Sequence, residues 1–200
     1  MSQDYTFEQD LKEAEAMTKG LEAYLKGSEL YGSVGGGLFG FQQMPSLTVG
    51  ALEMRLRRLN ELRMQLSEDQ RQRLAAVQQQ HDDIREEWRL HYDKKLLREI
   101  NSRLDSIGHY FQDAAQSLDS AAATYKPEQL KRTIVEEIRK VMDDLDIVSE
   151  EIDSKTRFVD NRLGGIALDR TDFLWASELE PVYPQKDFWW LYRQPRAGRS

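Results

Sequence analysis

Between Ser67 and Tyr125 the chain carries no proline, and Gly108 is its single glycine. The stretch is rich in Gln, Arg, Glu, Asp, Leu and Ala, mostly strong helix formers. Ser67 followed by Gln70 supplies a capping-box start. The pattern predicts one helix from about 68 to about 121, which at ~1.5 Å per residue is roughly 80 Å long. A rod of that length needs partners along its flank. Its apolar stripe has two parts: Leu74, Val77, His81, Ile84, Trp88 and His91, then Leu97, Ile100, Leu104, Ile107, Phe111, Ala114 and Leu118. The parts are out of register by about one residue near Lys94-Lys95, a skip that rotates the buried face by roughly 100°.

Tyr125-Lys126-Pro127-Glu128 reads as a short connector with a first-turn proline. Beyond it Leu130, Ile134, Ile138, Val141, Leu145, Val148, Ile152 and Val159 keep a three/four rhythm. Leu163-Gly164-Gly165 offers a stop. A turn at 122–127 would fold this second helix back along the first.

Upstream, Phe7, Leu11, Ala14, Thr18, Leu21 and Leu25 mark a helix opened by Thr6 and Gln9 and ended by Gly27 and Gly32. A glycine-rich loop over 32–45 follows, with Val34, Leu38, Phe39 and Phe41 interleaved. It lacks the Gly-Lys-Ser/Thr of a phosphate loop. Pro45-Ser46 opens a helix near 47–66, with Leu52, Leu56, Leu59, Leu62 and Leu66 on one side and Arg55, Arg57, Arg58 and Arg63 around the rest.

The expected fold is all-α. It is an elongated helical bundle over 1–165, built on a long antiparallel coiled-coil-like hairpin, with an irregular aromatic-rich C-terminal tail over 166–200. That tail holds three of the four tryptophans, Trp175, Trp189 and Trp190.

Composition narrows the chemistry. Cysteine is absent, which removes disulfides, thiolate metal sites and thiol nucleophiles. The 28 basic and 35 acidic residues leave a net charge of −7, a poor match to the basic footprint of broad nucleic-acid binding. No apolar run approaches a membrane span. With no secretory-type start, the expectation is a soluble, cytoplasmic chain with no cofactor and no small-molecule substrate.

Candidate sites are few. His81, His91 and His109 all fall on the long helix. His81 and His91 share its apolar stripe with Trp88, which favours hydrogen-bonded core or interface histidines. The sharper alternative is a metal site of His81, Glu87 and His91 with a carboxylate from a neighbouring helix, in a carboxylate/His bundle enzyme; Glu99, Asp105 and Asp113 are further candidate carboxylates on the long helix. The Glu-x-x-His motif of dinuclear bundles is missing. The acidic run from Glu136 to Asp153 reads as a solvated face or as a partner for the arginines at 55–63 and 71–73. A weaker alternative gives Arg55–Arg73 to nucleic acid. No nucleophile-elbow sequence occurs, and no dinucleotide fingerprint follows a strand.

The terminal FWWLYRQPRAGRS joins aromatics to Arg193, Arg196 and Arg199. It is expected to close the bundle or to dock into a partner. A non-enzymatic structural or adaptor subunit follows as the expectation, acting by protein–protein contacts in a homo-oligomer or larger complex. Its expected contact residues are Trp175, Phe188, Trp189, Trp190, Tyr192, Arg193 and Arg196, with Leu38, Phe39 and Phe41 from the glycine-rich loop.

Overall fold

The computed structural model describes residues 5–33, 45–114, 124–169 and 172–195. It is predominantly helical, as the apolar rhythm predicts. The helices are α1 (Phe7–Lys26), α2 (Val49–Glu61), α3 (Glu68–Glu87), α4 (Arg89–Ala114), α5 (Tyr125–Asp144) and α6 (Glu150–Ile166). Two three-residue strands, β1 (Ala167–Asp169) and β2 (Arg193–Pro195), pair antiparallel with Leu168 opposite Gln194. Among the described residues no helix is long and apolar enough to cross a membrane. The chain divides into two compact units at Glu99/Ile100, within the span of α4.

The first unit packs α1 against α2 and α3. Thr6 caps α1, its hydroxyl accepting from the Gln9 amide at 3.2 Å. Leu11, Ala14, Met17, Leu21 and Leu25 face inward from α1, against Leu52, Leu56 and Leu59 of α2 and Leu74 and Val77 of α3. Each such leucine contributes about 1.5–3 kcal/mol by leaving water. Gly32 and Leu47 exchange two backbone hydrogen bonds, at 2.9 and 2.8 Å, and so bracket the glycine-rich segment. A Cβ at Gly32 would stand 2.8 Å from the Tyr24 ring, so only glycine allows this approach.

The long helix expected over 68–121 is interrupted. α3 starts on the Ser67/Gln70 capping box, with both reciprocal bonds formed, and stops at Trp88. The break lies six residues before the expected register skip at Lys94. Its reason is visible in two side chains. In a straight helix His81 and Tyr92 would be about 16 Å apart along the axis, yet their rings stand 5.9 Å apart. The chain bends at Trp88 to bring Tyr92 back over His81, and Tyr92 takes the buried position expected of His91, which is exposed.

The second unit holds the C-terminal part of α4, α5, α6 and the tail. The single helix expected over 128–163 is also two helices. α5 ends in a Schellman motif: Ile147 N–H donates to Met142 O at 2.8 Å and Asp146 N–H to Asp143 O at 3.2 Å. Asp146 takes the left-handed position, φ 56°. Ser149 then opens α6, whose first turn carries Glu150, Glu151 and Asp153. Val148, expected on the buried stripe, is among the most exposed apolar residues. α5 and α6 therefore form a short antiparallel hairpin, tied by Arg132–Asp160 and Arg139–Asp153. Of the turn expected at 122–127, Ala122 and Ala123 lie outside the described residues; Thr124 stands at the N-cap of α5, and residues 125–128, expected as the connector, form its first turn. Gly164 and Gly165 do not stop α6, which continues to Ile166 and passes directly into β1.

The tail packs on α5. Trp190 is buried; its indole N–H donates to Thr133 Oγ1 at 3.0 Å, and its backbone oxygen accepts from Gln129 and Tyr125. The Arg132 guanidinium lies 4.0 Å from its ring while binding Asp160 through two nitrogens, at 2.7 and 2.9 Å. Edge-to-face contacts then run from Trp190 to Phe188, Tyr183 and Trp175.

Candidate functional site

Charged side chains inside the first unit form three closed clusters. In the first, Arg55 of α2 grips Glu13 of α1 at 2.6 Å, with Asp10 at 3.6 Å, and Arg58 stands 3.8 Å from the same Asp10. Burial pushes the Asp10 carboxyl up, against the opposing pull of Arg58 and Arg55. Arg73 meets Glu15 at 2.7 Å and Glu8 at 3.1 Å. Of the arginines expected to meet the acidic run at 136–153, Arg55, Arg58 and Arg73 are answered by α1, while Arg57 and Arg71 reach Glu61 and Glu68 nearby in sequence. Carboxylates of that run instead pair locally, Glu136 with Arg132, Asp153 with Arg139 and Glu151 with Lys155.

The second cluster contains His81, at 1% exposure. Its Nε2 stands 3.1 Å from Glu53 and 3.3 Å from the Tyr92 hydroxyl, and its Nδ1 3.0 Å from Asp82. Tyr92 donates to the same Glu53 carboxylate. Burial favours the neutral imidazole, but Glu53 and then Asp82 outweigh it and raise the His81 pKa. Burial likewise works to raise Glu53, and His81, Tyr92 and Arg85 together hold it below the usual carboxylate range. The pairing thus favours the charged form of both groups, and both ring nitrogens are occupied. Such a pair is a structural clasp between α2, α3 and α4.

In the third cluster, fully buried Glu99 accepts from Thr48 Oγ1 at 2.6 Å and from the Gly50 amide at 2.8 Å. It places a carboxylate at the N-terminus of α2, where the helix dipole favours negative charge. Among the described residues no three His, Asp or Glu converge to hold a metal ion. His81 is engaged as above, Glu87 is exposed, and His91 lies against the Trp88 ring at 5.4 Å.

The expected contact residues of the tail lie mostly inside their own unit. Phe188, Trp190 and Tyr192 are buried, while Trp175, Trp189 and Arg193 are half-buried, with the Arg193 guanidinium 4.7 Å from the Trp189 ring. Arg196, Leu38, Phe39, Phe41 and the side chain of Asp113 lie outside the described residues.

A cleft that the sequence reading missed lies between α4 and α6 in the second unit. It measures about 630 Å³ and has Leu104, Phe111 and Val159 as apolar lining, with Asp105, His109, Lys155 and Arg162 around it. Lys155 reaches back to Asn101 at 2.8 Å and Asp105 at 3.4 Å, while the cleft extends to Phe111 on one helix and Arg162 on the other. The two helices therefore run in the same direction. Phe158 stands in the cleft at 52% exposure with the Arg162 guanidinium 5.3 Å from its ring. Opposite it, a Cβ added to Gly108 would meet nothing within 4 Å. Phe158 sits beside the buried stripe residue Val159 and four residues before Arg162. An aromatic one position off a regular stripe was the available signal.

No family model matches the chain, and neither a curated protein nor a solved structure gives a match.

Proposed function

We propose that this chain is a non-enzymatic structural or adaptor subunit that works through protein–protein contacts, and that the α4/α6 cleft is its contact surface. The observation that carries the reading is Phe158. A phenylalanine with half its surface in water, stacked by an arginine above an apolar cleft, has the composition of an interface anchor. The buried charge clusters support the same reading. His81, a buried titratable group with a raised pKa, has both nitrogens committed to neighbours and is sealed from solvent. Its geometry favours cohesion over acid–base turnover.

Relative to the sequence expectation, the contact surface moves from the tail to the helices. Three of the tail's aromatic anchors are spent on holding β2 and the 3-10 turn at Trp189–Tyr192 against α5. The hairpin of α5 and α6 serves in this reading as the platform that presents α6.

Affinity capture with the full chain tests the proposal, with Phe158→Glu as control and helicity checked by circular dichroism. The expected result is self-association, or a stoichiometric protein held by the wild type and released by Phe158→Glu. A monomeric wild type that retains the same proteins as Phe158→Glu overturns it.

A further inference from the structure

We infer that the α4/α6 cleft receives an amphipathic helix of a different protein, with a carboxylate in its first turn, running antiparallel to α4 and α6. This rests on the reading of the cleft as a contact surface and adds the chemistry of what enters it. The walls are two parallel helices and offer no strand edge, so an incoming segment binds there through its side chains rather than its backbone. From Lys155, level with Asp105, to Arg162 the cleft runs about 10 Å, or about two helical turns. A helix of that length lays one face along it at i, i+3, i+4 and i+7. The α4 wall has a hole. Leu104, Gly108 and Phe111 follow at i, i+4 and i+7, one line on the helix surface, and the middle position carries no side chain. Glycine inside a helix costs about 1 kcal/mol relative to alanine. Packing among the described residues does not call for it, since a Cβ there meets nothing within 4 Å. A large apolar side chain from outside fits the gap, with half-exposed Phe158 as its flank on the other wall.

Charge sets the direction. At one end Lys155 is shared by Asp105 and Glu151, at 3.4 and 3.0 Å, so carboxylates outnumber the ammonium there. At the other end Arg162 rests on the Phe158 ring, and among the described residues no carboxylate pairs with it. His109, one turn beyond Asp105 towards that end, adds an imidazole. The incoming helix therefore sets Asp or Glu beside Arg162 and Lys or Arg beside Asp105 and Glu151. A helix dipole favours acidic residues in the first turn and basic ones in the last. The two conditions agree when the N-terminus of the incoming helix lies at the Arg162 end, which is antiparallel to both walls.

Selection on the full chain tests the inference, using phage-displayed helical peptides of about four turns with leucine fixed along one face and the other positions randomised. Enriched peptides should carry Asp or Glu in the first turn. Gly108→Leu adds a side chain where nothing among the described residues obstructs it, so it should fold, by circular dichroism, and bind a selected peptide at least about tenfold more weakly in titration calorimetry. Selection on Arg162→Glu should turn the acidic first turn basic, a shift that a merely structural arginine would not produce. Enriched peptides with no acidic first turn, or held equally well by Gly108→Leu, overturn the inference; where Phe158→Glu releases them, the contact surface still stands. No enrichment above that obtained with Phe158→Glu also overturns it, and affinity capture then decides the contact surface separately. A wild type that sediments as a dimer, and as a monomer once Phe158→Glu is introduced, overturns the foreign helix and leaves the contact surface standing.

Discussion

The clasp of Glu53 and His81 gives the sharpest quantitative expectation. Their charged atoms stand 3.1 Å apart. With an effective dielectric near 20 the attraction is about 5 kcal/mol, part of which offsets the cost of burying both charges. Glu53→Gln keeps the shape and an acceptor for Tyr92 but leaves the imidazole without its counter-charge. Removing one partner of a buried pair costs about 3–5 kcal/mol. We expect about 3 kcal/mol, a large share of the 5–15 kcal/mol that holds a typical domain. Hydrogen exchange of peptides within α2 and α3, alongside urea unfolding, reads this locally. Replacing the whole clasp (Glu53→Leu, His81→Leu and Tyr92→Phe together) should recover most of the loss, because the penalty lies in the orphaned charge. The pH dependence has a fixed sign. The Glu53 pKa is lowered, so its contribution is present above the unfolded carboxylate value of about 4.3 and fades as pH falls through the folded value. The His81 pKa is raised, so its contribution is present below about 6.5 and fades as pH rises through the folded value. The difference between wild type and Glu53→Gln should thus peak between about pH 4.3 and 6.5 and shrink on both sides. A loss under about 1 kcal/mol in that window, or a triple variant as damaged as Glu53→Gln, would refute the clasp.

Three further outcomes are expected. Glu99→Ala strands Thr48 and the Gly50 amide at the start of α2, and chemical denaturation should register a loss of about 2–3 kcal/mol; a change within error would mean the cap is idle. Trp190→Phe removes the indole bond to Thr133 and reduces the stacking of Arg132, so thermal unfolding followed by near-UV dichroism should show about 1–3 kcal/mol lost from the second unit. Asp146→Gly relieves a left-handed aspartate and should leave stability unchanged or raise it by up to about 1 kcal/mol, whereas Asp146→Val should lower it by more than 1 kcal/mol. Equal melting of those two variants would show that the turn is not left-handed.

The helix stripes were legible in the sequence because apolar spacing reports directly on burial. Leu11 to Leu25, Leu52 to Leu59 and Ile134 to Val141 all appear in the core. The helix ends were harder to read, for reasons specific to two residues. Asp146 closes α5 in a conformation usually given to glycine, and Leu145 and Val148 happen to continue the rhythm across the turn. Trp88 carries no breaker signal at all; the bend there is imposed by the tertiary pull of His81, Glu53 and Tyr92, none of which a local pattern connects. The charge clusters were hidden for the same reason. Arg55 finds Glu13 across 42 residues and Glu99 finds Thr48 across 51, so neither pairing leaves a trace in local spacing. The cleft was hidden differently. Gly108 reads as a weak spot in a helix and Phe158 as a stray apolar residue, because each has meaning only opposite the other. A surface defined by a knob on one helix and a gap on another is the kind of feature that sequence order disperses and packing reassembles. That is why the contact surface was expected in the aromatic tail, where hydrophobicity is contiguous, and is proposed on α4 and α6, where it is not.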